Sequence, residues 1–72
     1  MSARRFEFIE GTSSKFWEVS SSGTNVTVRY GRIGTNGQTQ TKSFTSAAAA
    51  NTHALQQINS KLDKGYRELS IV

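Results

Sequence analysis

Residue types that move protons, attack electrophiles or hold metals are scarce in this sequence of 72 residues. His53 is the single histidine, cysteine is absent, and the five carboxylates are scattered among ordinary polar positions. General acid–base chemistry needs such groups within hydrogen-bond reach of one another, and a metal centre would need further ligands at suitable spacing beside His53. The sequence therefore predicts no enzyme, no metal, no cofactor and no small-molecule substrate. The glycines of Gly31-Arg32-Ile33-Gly34-Thr35-Asn36-Gly37 suggest a phosphate-cradling loop at first sight. That segment has neither the lysine of a P-loop nor a helix opening directly after it, so the glycines read as turn formers that supply permissive φ angles.

What remains is charge. Nine Lys and Arg against five Asp and Glu leave a net charge of +4, which favours a polyanion such as nucleic acid or an acidic protein. The cations Arg4, Arg5, Lys15, Arg29, Arg32, Lys42, Lys61, Lys64 and Arg67 form no block, so any basic patch has to be assembled by the fold. The most informative segment runs from Arg29 to Thr35, where two guanidinium groups, an aromatic ring and two glycines lie together. Arg32, set between glycines, offers a bidentate fork suited to phosphate. Arg29 and Lys42 can join it on one basic face if neighbouring strands place them there, or be solvated strand residues. Tyr30 either completes the apolar face of Val26 and Val28 or meets a ligand, whereas Trp17 is assigned to the core. Arg4 and Arg5 read as a solvated terminus or a phosphate-binding arm.

The elements that must position these residues follow from periodicity. A chain this short supports one core, so residues 1–72 are read as a single domain, with its core over about 4–66 and a short tail or strand over 67–72. Arg4 to Glu10 alternates charge and apolar bulk as a half-buried strand does, and Gly11 to Ser14 reads as a turn. Lys15 to Ser20 and Val26 to Tyr30 look like a hairpin joined by Ser21 to Asn25. Asn36-Gly37 marks the next reversal, and Gln38 to Phe44 is β-prone yet almost without apolar residues, as an edge strand is. Thr45 or Ser46 can cap a helix that opens on Ala47 to Ala50 and stops at Gly65. Its expected apolar stripe is Ala48, Asn51, Leu55, Ile58 and Leu62, with Ala47 and Ala54 alongside. Strands followed by a helix, with no β–α alternation, predict an α+β fold: a small antiparallel sheet of four to five strands with one packed helix. No apolar run approaches the ~18 residues of a membrane span, and Met1 to Arg5 lacks the apolar segment of a secretory signal, so the expected location is the cytoplasm.

Taken with Lys15-Phe16-Trp17-Glu18-Val19 before it and Gly37 to Phe44 after it, the Tyr30-Gly31-Arg32 segment closely resembles the WGR domain, named for a Trp-Gly-Arg tripeptide. The similarity runs from about Lys15 to Gly65-Tyr66, with Tyr30 standing where the family usually has tryptophan. The resemblance implies an antiparallel sheet with one packed helix. It also implies a role in DNA-related proteins such as poly(ADP-ribose) polymerases, where the domain helps to grip a DNA end, and it points to the freestanding or terminal bacterial version. Tyr30 then matches the ring that packs against a terminal nucleotide's sugar, and Arg32 the arginine that contacts DNA or a neighbouring domain. Tyrosine keeps an aromatic face with less area and an added hydroxyl. The expected function is a non-enzymatic module binding DNA through Tyr30, Arg32, Arg29 and Lys42, without sequence specificity. The alternative is a protein-interaction module whose Gln38 to Lys42 strand or Arg32 loop docks an acidic partner.

Overall fold

A computed structural model describes residues 3–69. Its elements are β1 (Arg4–Glu10), β2 (Ser13–Ser22), β3 (Asn25–Arg32), β4 (Gln38–Ser43), α1 (Ala47–Asp63) and β5 (Arg67–Glu68). The strands form one antiparallel sheet in the order β4-β3-β2-β1-β5, so the first four make a meander and the chain after α1 returns to the far edge. The expected α+β architecture is what the chain adopts. The connections are tighter than the polar runs suggested: Ser13 and Ser14 already belong to β2, and only Gly23-Thr24 separates β2 from β3. Arg4 and Arg5 are strand residues, not an arm, because β2 pairs with them through Val19 and Glu18. Of the expected tail, Arg67 and Glu68 pair with β1, while residues 70–72 lie outside the described residues.

Period-two alternation sends Phe6, Trp17, Val19 and Val26 to one face, where α1 covers them with Ala50, Ala54 and Ile58. Trp17, 3% exposed, lies against Phe6 with ring centroids 5.6 Å apart. The helix starts as its residue types require. Ser46 is extended and its Oγ accepts from the amide of Ala49 at 3.1 Å, meeting one of the four amide donors a helix start leaves open. It ends in a Schellman turn: Gly65 has φ +100°, its amide donates to Leu62 and that of Tyr66 to Lys61.

The buried stripe differs from the one expected. Ala50, Ala54 and Ile58 face the sheet, whereas Leu55 and Leu62 are 56% and 46% exposed and Ala47 and Ala48 are exposed too. Alanines four residues apart let the helix backbone approach the sheet closely, and that contact outweighs the greater hydrophobicity of the leucines, which lie at its flanks.

A second, smaller packed site lies on the opposite face. Phe16, 1% exposed, sits there beneath the guanidinium groups of Arg5 and Arg29, whose central carbons are 4.5 and 5.2 Å from its ring centroid. The loop over residues 33–37 closes the cover, with Gly34 at φ +94° and Gly37 at φ +68°. Asn36 keeps negative φ, so the reversal is spread over this loop instead of a two-residue turn at Asn36-Gly37.

Candidate nucleic-acid interface

The sheet sorts charge by face. Residues opposite one another in an antiparallel ladder share a face. The pairs Glu18↔Arg29 and Arg5↔Glu18 therefore lie together on the face without the helix, and Lys15↔Arg32, Trp17↔Tyr30 and Val26↔Lys42 lie on the helix side. On the first face Arg5 and Arg29 are neutralised. Glu18 accepts from Arg5 at 2.6 Å and from Arg29 at 3.0 and 3.2 Å, while Arg5 also reaches Glu7 at 3.1 Å. The bond from Arg29, and next that from Arg5, holds the Glu18 carboxyl below its ordinary range against the opposing pull of burial. Arg29 also donates to the Asn36 carbonyl at 3.2 Å, which ties the loop to the strand. On the helix side, at the β1–β5 edge, Arg4 is paired with Glu68.

Toward β4 the helix side is different. Between α1 and the outer strands runs a groove of about 680 Å³ whose floor is Val28 and Tyr30. His53, Gln57 and Lys61 of α1 form one bank, Gln40 and Lys42 of β4 the other, and Lys15 and Tyr66 line it too. No carboxylate is among the lining residues, and among the described residues Lys15, Lys42, Lys61 and Arg32 form no ion pair. The ammonium of Lys61 stands 5.6 Å from the Trp17 ring centre and 5.3 Å from that of Tyr66. Burial lowers its pKa, and the nearby charges of Lys64 and Lys15 lower it further. Cations gathered this way without a counter-charge suit a polyanion, because each phosphate oxygen supplies what the protein withholds.

The residues singled out from the sequence divide accordingly. Tyr30 is half-buried: it packs against the core while opening to the groove, and its hydroxyl donates to Gln38 Oε1 at 3.2 Å. The ring completes the apolar face of Val26 and Val28 and leaves one side open to the groove. Lys42 lies in the groove wall, and Arg32, exposed at the end of β3, stands across the ladder from Lys15. Arg29 does not join them, because it is one position out of phase with Tyr30 and Arg32 and braces the opposite face. The sequence reading missed Lys15 and Lys61. The signals were there: Lys15 is two residues before Trp17 on one strand, and Lys61 follows Ala54 and Ile58 at helical spacing. His53 is half-buried in the same wall, 4.8 Å from Phe44 ring to ring. The glycine loop is structural, since a Cβ on Gly31 would come within 2.8 Å of the Gly37 Cα.

The WGR domain profile matches residues 2–71, nearly the whole sequence. The chain belongs to the WGR domain family. The WGR domain is a binding-type domain of the nucleic-acid-binding kind. Among curated proteins, the chain is 42% identical over 65 residues to Protein YehF of Escherichia coli strain K12, covering 90% of this chain and 24% of that protein. It is 35% identical over 65 residues to the uncharacterized protein YfeS of the same organism, covering 90% of this chain and 27% of that one. A crystal structure of a Bacteroides fragilis protein superposes with a TM-score of 0.93 at 45% identity, over 96% of this chain and 20% of that one. The WGR sequence thus spans about a quarter of the length of the curated relatives it matches. Among the described residues no helix is long and apolar enough to cross a membrane.

Proposed function

We propose that this WGR domain is a non-enzymatic nucleic-acid-binding module of the cytoplasm that holds DNA through its phosphates in the groove between α1 and β4. Residues 1–72 act as one domain. Lys42, Lys15 and Lys61 supply the cations inside the groove, Arg32 supplies a fork at its end, and Tyr30 offers a ring to a nucleotide near a DNA end. Arg29 contributes by holding the 33–37 loop. The observation that carries this reading is a contrast in pairing: Arg5 and Arg29 of the helix-free face are tied to Glu7 and Glu18, while the cations of the groove have no carboxylate beside them. Contacts to phosphate carry no base information, and α1 spends its inner face on the core, so binding without sequence preference is expected.

Fluorescence anisotropy with labelled duplexes, with and without a 5′ phosphate, tests this across a salt series. The affinity should fall linearly in log salt, by a slope of about 0.9 for each phosphate neutralised. Arg32→Ala and Lys42→Ala should each lower that slope by about one unit on every duplex, and Tyr30→Ala should weaken binding mainly where an end is present. If folded native protein binds no duplex at low salt, the groove has another client, and an acidic protein becomes the partner to seek.

A further inference from the structure

We propose that two copies of this chain join edge to edge through β4, making one continuous sheet with twice the five strands of a single copy. The inference goes beyond nucleic-acid binding and stands on the free edge alone. β4 pairs with β3 on one side, and among the described residues nothing pairs with its other side.

Which backbone groups face outward is fixed by two bonds. The amide of Phe44 donates to Thr24, and that of Ile33 to Ser14, so even-numbered residues of β3 turn toward β4 and odd-numbered ones toward β2. In β4 the backbone of Gln38, Gln40 and Lys42 is therefore used by β3, and Thr39, Thr41 and Ser43 turn their N–H and C=O groups outward. A six-residue edge without proline carries a single charge, Lys42, as its one device against pairing. The opposite edge differs, because β1 carries Arg4, Arg5, Glu7 and Glu10 and is partly covered by β5.

The occupant that fits is the same strand, reversed. With Thr41 opposite Thr41 of the second copy, Thr39 falls opposite Ser43 and Gln40 opposite Lys42. Each outward-facing residue then exchanges both of its bonds, hydroxyl residues meet hydroxyl residues on one face, and no lysine opposes a lysine. A different partner strand would have to supply such a match, whereas this chain contains it. The twofold axis stands perpendicular to the sheet, so both helices lie on the same side and the two basic grooves flank the seam. The net charge of +4 on each copy opposes association, so the dimer should tighten as salt screens the charges, the reverse of phosphate binding.

Sedimentation equilibrium of the full chain, without nucleic acid, tests this from micromolar to millimolar concentration and across a salt series. The mass should rise from 7.9 kDa toward twice that value, at lower concentration when salt is higher. Thr41→Pro removes an amide that faces away from β3, so the variant should keep the native circular dichroism while dimerising at least tenfold more weakly. Thr41→Lys and Thr41→Glu, each opposed to itself, should be monomers alone and dimerise when mixed. A native chain that stays at 7.9 kDa throughout, or a dimer that Thr41→Pro leaves intact, overturns the proposal, and a mixture that fails to associate overturns the register centred on Thr41.

Discussion

Gly37 illustrates how one residue type supports both the fold and the site. Its φ of +68° is one that side chains rarely adopt, and a Cβ there would collide with the Tyr30 carbonyl and stand 2.8 Å from the Phe16 ring. The loop can press onto Phe16 only because that Cβ is missing, and the same loop offers the Asn36 carbonyl to Arg29. Gly37→Ala is expected to cost at least ~1–3 kcal/mol in urea unfolding, since strain and collision act together. Gly34→Ala, at φ +94° with open space around it, should cost only the ~1–2 kcal/mol of a left-handed side chain. Equal losses for the two substitutions would show that the loop does not pack on Phe16 as described.

At the scale of elements, α1 is positioned by small residues. Ile58 is the one large buried side chain of its inner stripe, between Ala50 and Ala54 on one side and the cationic Lys61 on the other. Ile58→Ala is therefore expected to lower stability by about 2–5 kcal/mol, whereas Leu55→Ala should change it by about 0.5 kcal/mol or less. Denaturant midpoints of the two variants compare these directly. The exposed leucines gain little from burial, so a large loss at Leu55 would mean that α1 is rotated about its axis relative to the arrangement described here.

The molecule as a whole puts its positive charge to two uses. On the helix-free face, Glu18 binds Arg5 and Arg29 and braces Phe16 and the 33–37 loop; on the helix side, the lysines wait without counter-charges. The first arrangement gives stability a pH dependence. The carboxyl of Glu18 is held below its ordinary value in the folded chain, so its contribution is present above that ordinary value and is lost as pH falls from there through the depressed one. Thermal melts of Glu18→Gln between about pH 7 and pH 2 should be lower than native at neutral pH and converge with it in acid, where the native carboxylate is protonated as well. A constant difference across that range would remove Glu18 from the acid-sensitive set.

Much of this could be read along the chain because it depends on near neighbours. Alternation in Arg4–Glu10, the Ser46 cap, the Gly65 stop and the polar edge strand each follow from a few consecutive residues, and so did the α+β class. The Tyr30-Gly31-Arg32 segment with its flanks was enough to name the family. Tertiary structure decided what depends on distance in space. It chose the alanine stripe over the leucines, because closeness of backbone to sheet is a property of two elements at once. It gave Arg29, out of phase with Tyr30 along its own strand, the partner Glu18, and it brought Lys15 beside Lys61, far along the sequence, to make a groove no single segment contains.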